Sequence, residues 1–276
     1  MPEGDTIHRT ADRLRPVLVD QAITRFEARR LGRPGPEVGT TVHSVEARGK
    51  HLLIEFSDGW TLRTHLRMTG SWRVFAEGQR WSKPAHLARV VIEVDGWQVV
   101  CFSAPDIELV RSTDRSTALA RLGPDLCRPD ADLAECVARM GFVDPGTPVG
   151  DVLLDQRICN GVGNVYKSEV CFACRVDPQS PIASVDDAGR RELVETAARQ
   201  LQANLGPTRR TTVAGPPGSL AVYGRARKLC RRCRSTIRVA RTGAHARVTY
   251  WCPTCQPRRA APGPNNPSEV LDDGLA

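Results

Sequence analysis

Four cysteines constrain the fold of this chain more than any other feature. Two residues separate Cys230 from Cys233 and Cys252 from Cys255, and 18 residues separate the pairs. Each two-residue spacing makes a knuckle that aims two thiolates at one point, and two knuckles make a closed four-thiolate zinc site. The segment between them predicts a short hairpin, with Ile237–Val239 and Arg247–Trp251 as strands joined through Thr242-Gly243. A closed site leaves the ion no open position, so one zinc per chain is expected to organise structure and not to catalyse. A further pair, Cys171 and Cys174, has no partner pair. Together with Cys127, Cys136 and Cys159 it reads as small buried side chains.

The excess positive charge lies in the same segment. The net charge of the 276 residues is +8, yet 223–259 holds 11 Lys or Arg and no Asp or Glu. The remainder has 28 basic and 31 acidic residues. Charge spread for solubility would be scattered, whereas a block of this kind is the footprint of a polyanion. A hydrophobic fraction of 41% excludes bulk disorder. No apolar run approaches the roughly 20 residues of a membrane helix, and MPEGDTIHRT has no signal-peptide character. The expectation is a cytoplasmic protein with reduced cysteines and no membrane contact.

The periodicity predicts an α+β multidomain chain. Ile7, Ala11, Leu14 and Leu18 mark a helix over 5–18, with Asp5 as N-cap and Pro16 kinking it or ending it early. From Ala22 to Val110 the pattern is period two. Runs at His51–Phe56, Trp60–Leu66, Ser71–Phe75, His86–Val94 and Trp97–Ser103 predict an antiparallel sandwich or barrel, the first domain, over 1–122. Residues 123–222 read as helical, with Leu133–Met140, a helix from Thr147-Pro148 to about Asp155, Asn164–Ala173 and Asp186–Leu205. The finger occupies 223–256. The Pro-, Gly- and Asn-rich remainder, 257–276, is expected to be disordered.

Two segments carry possible chemistry. Asn160-Gly161-Val162-Gly163-Asn164 lies between two helices and reads either as an ordinary turn or as a phosphate cradle. In the second reading, the amides opening the next helix face outward. At the chain start, removal of Met1 would expose the secondary amine of Pro2. An α-amino group with a pKa of about 7.7–8.0 is partly neutral near neutrality and attacks electrophilic carbon. Glu3 beside it would move protons, its carboxylate favoured by the positive end of the first helix.

These segments, taken with GKHLLIEF, THLRMTG, SAPDIEL, LLDQRICNGVGNVYKSE, VYGR and the cysteine finger, resemble the formamidopyrimidine-DNA glycosylase/endonuclease VIII family in order over roughly residues 1–256. The resemblance implies an N-terminal helix with a β-sandwich, a helix–two-turn–helix and a zinc finger, with damaged DNA bound in the cleft between them by a monomer. It implies a bifunctional base-excision enzyme that forms a Schiff base and cleaves the strand by β,δ-elimination. Pro2 would be the nucleophile and Glu3 the acid/base. Lys50 would contact phosphate and assist catalysis. Asn164 and Arg247 would grip the phosphates flanking the lesion, and Arg247 is counted with the catalytic group. A base inside a duplex must be flipped out before C1′ is attacked, and Met68 matches the wedge that fills the gap. His65 of the same motif and Tyr223 of VYGR would be further DNA contacts.

The loop Ser103-Ala104-Pro105-Asp106-Ile107-Glu108-Leu109 stands where the formamidopyrimidine branch has an Arg and a Phe, and it resembles the endonuclease VIII branch, which prefers oxidised pyrimidines. Arg67-Met68-Thr69 departs from that branch's wedge, whose third member is usually aromatic. Two alternatives stay open: an oxidised-purine glycosylase, and a catalytically silent DNA-binding paralogue.

Overall fold

The computed structural model describes residues 2–29, 31, 35–111, 117–206 and 209–260. Helix α1 (Gly4–Leu18) buries Ile7, Ala11, Leu14 and Leu18, the predicted stripe. Its cap differs from expectation. Glu3 is the N-cap, and Asp5 lies inside the first turn because its carboxylate is taken by Arg210 and Arg9. Pro16 does not shorten the helix. It sits on the exposed face two residues from the end, and buried Leu18 holds the last turn.

Eight strands follow: β1 (Arg25–Ala28), β2 (Val42–Arg48), β3 (His51–Phe56), β4 (Trp60–His65), β5 (Ser71–Ala76), β6 (Ala88–Val94), β7 (Trp97–Phe102) and β8 (Asp106–Arg111). They form two four-stranded antiparallel sheets, ordered β2-β3-β4-β8 and β1-β6-β7-β5. Val45, Ile54 and Leu62 of the first sheet meet Val90, Ile92 and Val99 of the second in one core, and α1 contributes its stripe to it. The arrangement is a sandwich. In the register of the first sheet, His51, His65 and Asp106 lie side by side at one sheet end, next to the β2–β3 turn that carries Lys50.

After the short α2 (Thr117–Ala120) come α3 (Leu133–Met140), α4 (Val149–Leu154), α5 (Asn164–Ala173) and α6 (Asp187–Gln202). Asp132 and Asp186 cap α3 and α6 through side-chain bonds to Glu135 and Gly189. At α4 the cap is Pro148, one residue later than the sequence suggests. The chain is still extended there, bridging Pro181, and the Thr147 carbonyl is used by Ile182. α5 is buried from Asn164 to Phe172, so it has no polar face to give it a periodic signature.

β9 (Arg238–Thr242) and β10 (Arg247–Trp251) pair antiparallel as the finger hairpin. Ile237, expected in the first strand, instead joins a small core with Phe172, Ala221, Val222, Cys230 and Cys252. The finger is therefore packed on α5, with the Arg232 guanidinium 4.3 Å from the Phe172 ring centre. Beyond it, residues 257–260 are exposed, and the Arg259 amide donates to Ser180 Oγ at 2.9 Å. The rest of the expected disordered tail, 261–276, lies outside the described residues.

Candidate active site

Glu3 is fully buried, and its carboxylate closes the N-terminus of α5. Oε2 accepts from the amides of Gly163 (2.9 Å) and Tyr166 (3.3 Å), and Oε1 accepts from Val165 (2.9 Å). This corrects two expectations. The amides of Gly163, Val165 and Tyr166 are not open to a phosphate, because Glu3 occupies them. The helix end that holds the Glu3 carboxylate is that of α5 and not that of α1. Gly163 is needed for the approach, since a Cβ there would lie 2.4 Å from Glu3 Cδ. The backbone is fastened too: the Gly4 amide donates to the Gly161 carbonyl at 2.9 Å. Pro2, partly buried, is thus fixed one residue from an anchored carboxylate.

Arg210 backs this carboxylate. Its guanidinium lies 3.7 Å from Glu3, donates through Nε to Asp5 at 3.0 Å, and sits 4.7 Å from the Tyr166 ring centre. Burial opposes the Arg210 charge, but Glu3 and Asp5 more than offset that and raise its pKa.

Lys50 enters from the β2–β3 turn. Gly49 there has φ 56°, and its amide donates to Asp125 Oδ2 at 2.6 Å. Asp125 also bonds His8 Nε2 at 2.9 Å and the Cys127 amide at 3.0 Å, so one carboxylate ties that turn to α1 and to the helical part. Burial lowers the Lys50 pKa to about 8, with Glu3 opposing and Arg247 and Arg210 assisting. An amine so placed exists in both protonation states near neutrality.

Arg247 is exposed at the start of β10, and Asn164 is buried at the start of α5. Between them stands Lys167, whose Nζ donates to Thr249 Oγ1 (2.7 Å) and the Val248 carbonyl (3.1 Å). Burial lowers its pKa to about 8 as well. Tyr223 packs against Tyr250 with ring centres 4.8 Å apart. Its loop is organised by buried Glu169, which accepts from the amides of Ala221, Val222 and Tyr223 at 2.7–2.9 Å. Burial raises the Tyr223 pKa above its usual value, with Glu3 and Tyr250 assisting and Arg210 opposing.

Pro2, Glu3, Lys50, Asn164, Arg247 and Tyr223 thus share one region. His65 flanks Lys50, its ring 4.9 Å from that of His51. Burial lowers the pKa of His65 to about 4 and of His51 to about 3, so both rings are neutral at neutral pH. Met68 is 64% exposed on the loop after β4. That loop is pinned by Gly70 N to the Leu66 carbonyl (2.8 Å) and by Thr69 Oγ1 to the Ser103 carbonyl (2.9 Å). Sequence reasoning missed Asp125, Lys167, Glu169 and Arg210. Lys167 and Glu169 lie inside a quoted motif, but a helix buried all round hides which side chains matter. The partners of Arg210 are 205 residues distant, and no local pattern reports them.

The four finger cysteines form a separate centre, their Sγ atoms all within 4.8 Å of one another. Cys233 and Cys252 are 3.4 Å apart, and Cys230 and Cys255 are 3.9 Å apart. A tetrahedral ion with Zn–S of about 2.3 Å needs sulfurs about 3.8 Å apart, so the donor set fits. Cys171 and Cys174 are buried and belong to no such group among the described residues.

The chain is similar to known proteins in sequence and in fold. The sequence profile of the formamidopyrimidine-DNA glycosylase N-terminal domain matches residues 1–106, and that of the formamidopyrimidine-DNA glycosylase H2TH domain matches 122–213. A Streptomyces coelicolor protein named probable endonuclease 8 2 is 43% identical over 270 residues, 96% of each chain. A Mycolicibacterium smegmatis protein named DNA-(apurinic or apyrimidinic site) lyase Nei2 is 38% identical, over 93% of this chain and 99% of that one. The fold matches that of a Lactococcus lactis Fpg complexed with DNA containing N7-benzyl-Fapy-dG, at TM-score 0.79 and 22% identity, over 93% of this chain and all of the other.

Proposed function

We propose a DNA-repair activity for this chain, which belongs to the formamidopyrimidine-DNA glycosylase family. It is a bifunctional DNA glycosylase and AP lyase that removes oxidised pyrimidines from bacterial DNA. The observation that carries the reading is the buried Glu3 carboxylate, clamped beside Pro2 by three amides at the entry to α5 and close enough to Lys50 to favour its charge. With Met1 removed, the Pro2 amine attacks C1′ of a flipped nucleoside and loses its proton, and the bond from C1′ to the base breaks as the base is protonated. Protonation of O4′ then opens the C1′–O4′ bond to leave an iminium joining protein and sugar. Glu3 delivers and removes the protons; the iminium acidifies C2′–H, whose loss expels the 3′ phosphate, and loss of C4′–H from the conjugated product then expels the 5′ phosphate. Lys50, Asn164 and Arg247 hold those phosphates, Tyr223 and His65 line the approach, and Met68 fills the gap in the duplex.

The preference for pyrimidines rests on the loop ending in Asp106, which supplies no Arg–Phe pair, and on the endonuclease 8 name of the Streptomyces coelicolor relative. The test is a lesion panel of thymine glycol, 5-hydroxyuracil, 8-oxoguanine and an abasic site in single- and double-stranded DNA. Excision of the two pyrimidines at least tenfold faster than 8-oxoguanine is expected. The reverse order assigns the purine branch, and no excision at all assigns a binding-only paralogue.

The division proposed with this function is a sandwich domain over 1–122, a helix–two-turn–helix over 123–222, a finger over 223–256 and a tail. The four cysteines would hold one zinc, which supplies the finger with the core that a module of this size lacks. Chelation, or Cys252→Ser, should unfold the finger and leave the sandwich folded. For every DNA phosphate that the protein then fails to neutralise, log affinity against log salt should flatten by about 0.9. Unchanged affinity and slope in the zinc-free protein would remove the basic block as the DNA grip. No described helix is long and apolar enough to cross a membrane, and we place the protein with the DNA of a bacterial cytoplasm.

A further inference from the structure

Lys167 is 2% exposed and cannot itself reach DNA. Its ammonium has three donors and three acceptors around it: Thr249 Oγ1 at 2.7 Å, the Val248 carbonyl at 3.1 Å and Asn164 Oδ1 at 3.5 Å. Two of these belong to the residues that directly follow Arg247, and the third is the side chain of Asn164. Thr249 Oγ1 is fixed in turn, 2.6 Å from Thr242 Oγ1 across the hairpin and 3.1 Å from the Arg247 carbonyl. The Lys167 stem is gripped by α4, where a Cβ on Gly150 would lie 3.2 Å from its Cδ. None of the three acceptors is a carboxylate. Asp151 of α4 and Glu3 favour the charge from a distance, and Arg247 opposes it. For packing alone an apolar chain of this length would cost less than a buried cation without a paired anion.

We propose that Lys167 is a positioning residue that sets Arg247 against Asn164, so that hairpin and α5 grip the DNA backbone as one clamp. This rests on the reading of Asn164 and Arg247 as phosphate contacts. One buried ammonium spans the joint between finger and helix, and through it the exposed Arg247 acquires a fixed distance from a residue of the other domain. Loss of Lys167 should therefore look like loss of Arg247, although Lys167 touches no DNA.

The test is a double-mutant cycle on the full-length, zinc-loaded protein, using a duplex with a tetrahydrofuran abasic analogue and a salt series. Arg247→Ala should flatten the slope of log affinity against log salt by about 0.9, equivalent to about eightfold between 1 M and 0.1 M salt. Lys167→Met should flatten it nearly as much, and the double variant no further than Arg247→Ala alone. An unchanged slope in Lys167→Met, or additive loss in the double variant, overturns the proposal. If Arg247→Ala itself leaves the slope unchanged, the phosphate reading falls and this inference with it. If only Lys167→Met fails, the phosphate reading stands. Should Lys167→Met lose its zinc, Thr249→Val decides, since it removes one acceptor and keeps the ammonium. A zinc-loaded Thr249→Val of unchanged slope also overturns the proposal.

Discussion

A single residue added ahead of Pro2 is expected to abolish the covalent adduct that borohydride traps between this protein and abasic-site DNA. The extension turns the proline nitrogen into an amide, which has no lone pair available to attack C1′, so the loss should be complete. DNA affinity should be unchanged, because Asn164, Arg247 and the finger are untouched. A retained Met1 is itself such an extension, so intact mass of the purified protein must show its removal before the comparison is made. Pro2→Gly keeps a free amine, primary in place of secondary, and should trap less without reaching zero. Full trapping by the extended protein would assign the nucleophile elsewhere, and the neighbouring Lys50, with its pKa near 8, would be the next residue to test.

Glu3→Gln should lose base excision by about 10²–10⁴-fold, the usual contribution of a general acid/base. The surroundings of Glu3 make this a sharper test than most. Two of its three amide donors converge on Oε2, so a glutamine that puts its oxygen there keeps both and leaves the Val165 amide unpaired. The unpaired donor costs about 1–3 kcal/mol of stability, which a thermal melt will show separately from the kinetic effect. Trapping on a ready-made abasic site should suffer less than excision of thymine glycol, since no base has to leave. Wild-type excision by a folded Glu3→Gln would remove Glu3 from the chemistry.

The parts of this molecule that the sequence discloses are those whose cause is local. The cysteine spacing is one, because two knuckles on one ion leave little freedom to the chain between them. The limits of α3 and α5 are others. Asp132 caps α3 from the adjoining position, and a glycine-rich turn opens α5. Asp5 shows the opposite case. By composition it is a good cap, but Arg210 claims it from 205 residues away and the helix begins earlier. The amides of α5 fail for the same reason, because a free helix terminus and one filled by a distant carboxylate are spelled identically. Lys50, Asn164 and Arg247 were named by resemblance to a family. The buried charges around them, Asp125 on the Lys50 turn, Lys167 between Asn164 and the hairpin, and Glu169 under the Tyr223 loop, have partners on other elements, and no periodicity marks them.

The Glu3 carboxylate has a bearing on protein synthesis. Its donors lie 160–163 residues further along the chain, so while the ribosome is still short of Tyr166 the carboxylate has no binding site and stays hydrated. The sandwich can collapse as it emerges, but the third residue to be made must wait until more than half of the chain exists. A polypeptide released early, by a stalled ribosome or a damaged message, would carry the proline amine without the anchored acid and without the finger. Such a fragment is poorly equipped to open a sugar in intact DNA. The acid is therefore anchored only once the helix that holds it has been made.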